Sequence, residues 1–262
     1  MIDVIITKPD YKMPLTKAQN ELHADTIENF SRMLPEKFTA LSWNMDPNLN
    51  VFERLKQTIY SGKGDIVIVA DAGVLLNKPL EPILKKFYEN DKIGIIGCRL
   101  VDCNYDLVDA GVEHPEQPQP IWRRFGQSPD VAELLNEDYN IYIDAKFIIM
   151  RKTMLEQVSI KPEAQLFWAL FLCWEASRAG WSVYYSPEEV LYTNHWEKNI
   201  SILDDIYTDS QKWFIDTVKI AYEEDKKKAK RPVVITPKPP PPEPLSFLKD
   251  SEQVVRKGRG KK

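Results

Sequence analysis

The stretch GDIVIVADAGV, residues 64–74, decides the fold. Residues 66–70 are apolar without interruption and rich in β-branched side chains, a length and composition suited to a strand apolar on both faces. Such a strand lies inside a sheet covered by helices on both sides. Asp71 follows it directly, at the carboxyl end where open α/β sheets bind their ligands, and is the first candidate site residue.

On either side, short β-branched runs alternate with amphipathic stretches. Residues 3–7 read as a strand, 24–34 as a helix, 38–45 as a strand and 51–61 as a helix, giving β-α-β-α-β up to residue 70. Further on, 80–89 reads as a helix, 93–98 as a strand, 141–150 as one strand, and 163–179 as a largely buried helix. Residues 182–185 read as a short strand ended by Pro187. A last helix, about 201–228, carries Ile202, Ile206, Trp213, Val218 and Tyr222 near helical spacing. The pattern predicts an α/β protein with a mixed, mainly parallel central sheet flanked by helices, and it contains no internal repeat.

With 262 residues and 43% apolar content the chain is long enough to bury a full core. No apolar run approaches the roughly 18 to 20 residues of a membrane span, and residues 1–10 lack the zones of a signal peptide, so a cytoplasmic protein is expected. Cys98, Cys103 and Cys173 have no metal-like spacing and read as reduced, mostly buried thiols. The net charge of −4 hides a division: residues 226–262 hold 12 Lys and Arg against 3 acids, leaving −13 on the rest. An acidic body argues against a nucleic-acid groove, which needs clustered Lys and Arg to neutralise phosphates. Residues 1–230 are expected to form one domain, 231–246 a proline-rich extended linker, and 247–262 a basic flexible tail.

The polar residues just after each strand are the candidate ligand contacts: Thr7 and Asp10, then Asp46, then Asp71, and the segment 144–146. Neither GxGxxG nor GxxxxGK[ST] occurs, which disfavours a dinucleotide enzyme or a P-loop kinase.

Four segments, in order, resemble the nucleotide-sugar glycosyltransferases of the GT-A fold, particularly the large family-2 type. GDIVIVADAGV is similar to the strand leading into that family's acidic DxD motif. LVDCNYDLVDAGVEH (residues 100–114) resembles its hairpin ending in an Ala-Gly pair, here Ala110 and Gly111. IDAKFIIMRK (143–152) resembles the strand ending in two basic residues, and RAGWSVYYSPEEVLYTNH (178–195) the closing helix, strand and histidine. The resemblance implies a nucleotide-binding half joined to an acceptor-binding half.

It also implies a divalent Mg²⁺ or Mn²⁺, because the donor's diphosphate must be neutralised as the glycosidic bond breaks and hard oxygen ligands hold such an ion. In the family the last acid of DxD ligates the metal. This chain reads Asp71-Ala72-Gly73, with glycine at that place. Either Asp71 takes the metal with His195 as its second ligand, or metal binding is weak, or catalysis has been lost. Read without the resemblance, Asp71 is a turn residue at a strand end and His195 an ordinary histidine. His23 and His114 have no support from the family pattern, and His114 sits in a proline-containing stretch expected to be a loop on the acceptor side.

An inverting transferase needs a base for the acceptor hydroxyl. The family supplies an acidic pair where this chain has Trp168 and Ala169. Substitutes are Glu163, Glu175 and Asp144, of which Asp144 is preferred because the family directs its strand toward the acceptor. Phe167, Trp168 and Phe171 suit either a core or a platform for a sugar's apolar face. The resemblance further implies that the base rests near the first two strands, with Asp46 a candidate for a uracil contact and Thr7 for backbone-side contacts. Arg54 could face the diphosphate or be a surface helix arginine.

The expected function is inverting, metal-assisted sugar transfer from a nucleoside diphosphate sugar, UDP-linked in this reading, to a glycan. A degenerate scaffold of the same fold is the alternative. A nucleotidyltransferase is a weaker third, since no basic, glycine-rich loop follows the first strand. A transferase domain followed by a proline-rich linker is also similar to the multidomain glycosyltransferases of large algal viruses, which would place it in a host cytoplasm with further domains after the linker.

Overall fold

The computed structural model describes residues 1–7, 17–35, 37–42, 49, 51–113, 121–122, 128, 130, 134, 141–159, 161–192 and 203–229. The chain divides into two units, Met1–Glu223 and Glu224–Lys262. The second contributes only the end of a helix to the described residues, so the expected linker and tail lie outside them.

The main sheet is built around β3 (Ile66–Asp71). On one side, β3 pairs in parallel with β1 (Ile2–Thr7), and β1 in parallel with β2 (Phe38–Leu41). On the other, β3 pairs antiparallel with β10 (Phe147–Arg151). Next come β5 (Ile93–Val101), β11 (Ser182–Tyr192) and β4 (Val74–Leu76), with β6 (Leu107–Asp109) antiparallel to β5. A small antiparallel sheet joins β7 (Val112–Glu113) to β8 (Ile121–Trp122) and β9 (Ile141–Tyr142). The helices are α1 (Lys17–Met33), α2 (Val51–Ser61), α3 (Glu81–Glu89), α4 (Lys152–Leu155), α5 (Trp168–Arg178) and α6 (Leu203–Ala229).

Strand alternation sorts the apolar residues into two cores. Ile5, Val67, Val69, Ile148 and Met150 share one core with Leu55 and Ile59 of α2, the apolar side of α5, and Phe214 and Val218 of α6. Val4, Ile6, Ile66, Ile68, Phe147 and Ile149 share the other with Phe30 of α1 and Leu84 and Phe87 of α3. That two-sided burial is what the uninterrupted apolar run of β3 encodes. A buried Asp3 shapes the entry to β3: its carboxylate accepts the Gly64 N–H, and a Cβ on Gly62 would clash with Asp3 Oδ2.

Three expectations are corrected. The single strand over 141–150 is two, β9 and β10, separated by a turn at Ala145 and Lys146. Pro187 does not end its strand: the register shifts between Ser186 and Glu189, and β11 continues to Tyr192. A bulge tolerates proline because no ladder amide is needed there. The helix expected over 163–179 opens as a 3₁₀ turn, Pro162–Phe167, before α5 begins.

Candidate active site

The same alternation that fills the cores gathers the polar residues. Thr7 continues the series of Ile5 and Asp71 that of Val67 and Val69, so both belong to the α2 and α5 face, while Lys146 sits in the turn just before β10. Thr7 pairs with Asp71 in the sheet register. Its hydroxyl donates to the Asp71 carboxylate, its carbonyl accepts Ala72 N–H at 3.0 Å, and Asp71 N–H donates to Lys146 O at 2.9 Å.

Asp71 is half-buried. Burial raises its carboxyl to about 6, against the lowering effect of the Thr7 hydrogen bond and nearby Lys146.

The turn after Asp71 is held from the opposite face. Gly73 has φ of 101°, a left-handed conformation that an L side chain rarely adopts, and its N–H donates to Thr26 Oγ1 on α1 at 2.9 Å. Thr26 is fully buried and donates in turn to Leu22 O at 2.9 Å. One helical turn further along α1, Asn29 clamps Leu76, accepting its N–H at 2.7 Å and donating to its carbonyl at 3.0 Å. Glycine at position 73 is therefore a requirement of the backbone. An aspartate placed there would be strained before it could reach a ligand.

Facing this turn is a second acidic set. Asp144 Oδ2 accepts from Lys146 Nζ at 2.5 Å, and its Oδ1 accepts Ala145 N–H at 2.6 Å. Asp109, at the end of β6, is 4% exposed and accepts Gly111 N–H at 2.9 Å through Oδ1. Burial raises the Asp109 carboxyl and the Asp144 charge adds to the effect, with Lys146 and the Gly111 and Ala110 amides opposing. Burial alone would lower Lys146, but Asp144, Asp109 and Asp71 around it raise it above the usual lysine range. Asp71, Asp109 and Asp144 thus interact electrostatically with one ammonium group.

Asp109 was not among the residues singled out from sequence. Its signal was an acid closing the apolar pair Leu107 and Val108 just before Ala110 and Gly111, which gains meaning only when β6 lies against β5.

The other candidates are more scattered. Arg54 is 4% exposed on α2, so it is not a surface arginine. Glu163 is exposed on the 3₁₀ turn, and Glu175 is half-buried on α5. Trp168 and Ala169 belong to the core, as do Phe167, stacked on Phe214 at 5.9 Å, and Phe171, edge-on to Trp213 at 5.0 Å. The aromatic residues are core rather than platform. His23 is half-buried on α1, while Asp10, Asp46, His114 and His195 lie outside the described residues. The two basic residues ending the strand are structural: Arg151 donates to Ile93 O at 3.0 Å and covers the Phe87 ring, and Lys152 donates to Gly62 O.

Of the two metal ligands expected from sequence, Asp71 lies among the described residues and His195 outside them. No group of three His, Cys, Asp or Glu among the described residues could hold a metal ion. Asp71 already accepts from Thr7, Asp144 is paired with Lys146, and Gly73 carries no ligand.

The sheet order, the helices on both faces and the acid at the end of β3 define a GT-A fold, the fold of nucleotide-sugar glycosyltransferases. The solved structure of GalNAc-T7 with UDP, GalNAc and Mn²⁺ matches with a TM-score of 0.55 over 86% of this chain and 49% of that one, at 13% identity. The mannosyltransferase PcManGT from Pyrobaculum calidifontis, in complex with GDP-Man and Mn²⁺, gives a TM-score of 0.45 at 12% identity, over 76% of this chain and 57% of that one. The chain therefore spans about half the length of these two structures. No protein-family model and no curated protein matches the sequence. No helix among the described residues is long and apolar enough to cross a membrane.

Proposed function

We propose that this chain transfers a sugar from a nucleoside diphosphate sugar to a glycan acceptor with inversion. The observation that carries this reading is the cluster of Asp71, Asp109, Asp144 and Lys146 at the strand ends of a GT-A fold. In the proposed reaction an acceptor hydroxyl oxygen attacks the anomeric carbon. The bond from that carbon to the diphosphate breaks, and the nucleoside diphosphate leaves with the electron pair. Asp144 takes the acceptor proton, since it lies on the segment facing the cluster while Glu163 is exposed on its 3₁₀ turn.

Thr7 and Asp71 form the floor of the donor site, with Asp46 and Arg54 as further nucleotide contacts and a UDP-linked donor preferred on the strength of Asp46. Residues 231–246 then serve as a linker to the tail and to any further domain.

Nucleotide release measured across several UDP- and GDP-sugars tests the proposal. Release above the acceptor-free rate is expected, with Asp144→Asn slowing turnover by about 10²-fold or more while nucleotide binding survives. Absence of both turnover and nucleotide binding rejects the reading. A scaffold that has lost catalysis is the second reading, favoured by the burial of Trp168 and Ala169 where the family has its acids. It requires that Asp71→Ala leave biological activity intact.

A further inference from the structure

We infer that Cys173 of α5 and Gly97 of β5 are positioning residues for Asp144, acting through its neighbour Ile143. The inference rests on the transfer reading above, in which Asp144 is the base.

Asp144 belongs to no strand. β9 ends at Tyr142 and β10 begins at Phe147, so Ile143 and Asp144 lie between the two. Both are buried. On its C-terminal side Asp144 is tied into the turn, its carboxylate accepting from Ala145 N–H and Lys146 Nζ. On its N-terminal side stands Ile143, whose buried backbone N–H and C=O need partners of their own.

Cys173 meets both groups. Ile143 N–H donates to Cys173 Sγ at 3.3 Å, and the thiol faces Ile143 O in return, donating at 3.9 Å. A thiol is weak in either role, but here one side chain grips the residue through both of its peptide groups. Burial pushes the Cys173 thiol up to about 12, so it keeps the proton it donates. The helix carrying it is itself fixed, with every residue from Trp168 to Trp174 buried. α5 is also the helix on which the sequence resemblance leads one to expect acids, at Trp168 and Ala169. Cys173, one helical turn beyond Ala169, holds the segment that ends in Asp144 instead.

Gly97 supplies the room. A Cβ there would clash with the Ile143 side chain, whose Cδ1, Cγ1 and Cγ2 are all in the way. Glycine inside a strand weakens it and marks a close approach, here that of Ile143 to β5. The side chain of Ile143 is thus set against β5 and its backbone against α5. A displacement of about 1 Å at a reacting group can cost on the order of 10²-fold in rate, so a residue held this way fixes more than the core.

The test compares Cys173→Ala, Cys173→Ser, Gly97→Ala and Asp144→Asn with the wild-type full chain. The donor is the UDP- or GDP-sugar that the wild type turns over fastest. The acceptor is the glycan that raises release most, or water where none does. Binding of UDP and GDP is measured beside turnover by titration calorimetry. Alanine and serine are close in size, so both lose the packing of the sulfur, while only serine keeps a donor and an acceptor. Cys173→Ala is expected to lower kcat by about tenfold or more, with the donor KM and nucleotide Kd within about twofold of wild type. Cys173→Ser should recover much of that loss, and Gly97→Ala should lower kcat by on the order of 10²-fold.

Equal kcat in Cys173→Ala and wild type overturns the inference and leaves the transfer reading standing. Equal losses in Cys173→Ala and Cys173→Ser also overturn it, since packing alone then accounts for the effect. So does a loss of nucleotide binding that matches the loss of kcat, or a fold lost in every Cys173 and Gly97 variant, either of which makes these contacts structural. Should Gly97→Ala alone fail to fold, the two Cys173 variants decide. Unchanged turnover in Asp144→Asn removes the base that is positioned, and the inference with it. Absence of both turnover and nucleotide binding in the wild type removes the transfer reading itself.

Discussion

The turn after β3 and the start of α5 are the two places where the sequence resemblance leads one to expect acids, and the structure builds them in opposite ways. After β3, Gly73 carries no side chain and its surroundings are polar: Gly73 hydrogen bonds to Thr26, Asp71 to Thr7, and Lys146 pairs with Asp144. At the start of α5 stand Trp168 and Ala169, 6% and 1% exposed, packed in a core with Phe167 and Phe171. A polar strand end can still serve a charged ligand. A filled apolar layer cannot be returned to acid chemistry without leaving a carboxylate where nothing pairs with it.

Reintroducing an acid at the filled position tests that contrast most severely. Trp168→Asp removes a large buried ring and desolvates a charge, so a loss on the order of 4 kcal/mol is expected, read as the shift in a urea unfolding midpoint. A loss below about 1 kcal/mol would mean that this end of α5 is open enough to hold an acid after all.

The polar end should respond to pH instead. The Asp71 carboxyl is raised by burial to about 6, above its ordinary value, so its ionised form is disfavoured in the fold. Its contribution to stability is full below pH ~4 and is lost as pH rises through about 6. Asp71→Asn removes that loss. The variant should therefore gain stability relative to wild type between pH 4 and pH 8, by on the order of 2 kcal/mol, in unfolding curves taken across that range. A difference that is flat with pH would refute the shift.

The smallest effect is expected at Thr26→Val, which keeps the shape but takes away the acceptor of the Gly73 N–H. A cost of about 1 kcal/mol is expected, together with weaker nucleotide binding as the turn after Asp71 loosens. Loss of stability with binding unchanged would show that α1 supports the fold without positioning the site.

Much of this fold was legible from sequence because its signals are local. The apolar run of β3, the β-branched runs of β1 and β5, and the helices α2 and α3 emerge close to where their residues predict them. What escaped depends on tertiary partners. β4 has only three residues, too few for a period to register. The turn at Ala145 and Lys146 hides inside a stretch whose composition reads as one strand, and Pro187 is tolerated only because a bulge receives it.

The site divides in the same way. Asp71 was legible from the strand it ends and Asp144 from the segment it occupies, whereas Asp109 needs the β5–β6 pairing before it means anything. The burial of Arg54, and the choice between core and platform for Phe167, Trp168 and Phe171, likewise needed the packed structure.

The path of β11 has a consequence for how the molecule is made. This single strand lies between β5, which it joins in parallel, and β4, which it joins antiparallel, and its paired residues follow those of β5 by 88 to 90 positions and those of β4 by 114 to 118. During synthesis the middle of the sheet can form while one flank of β5 remains an unpaired edge, and only the arrival of residues 182–192 closes it. Pairings so far apart in sequence form slowly, because the loop between them must be ordered before they repay it. Until then the growing chain exposes an apolar strand edge, which makes the last-made part of the sheet the part that guards the rest from aggregation.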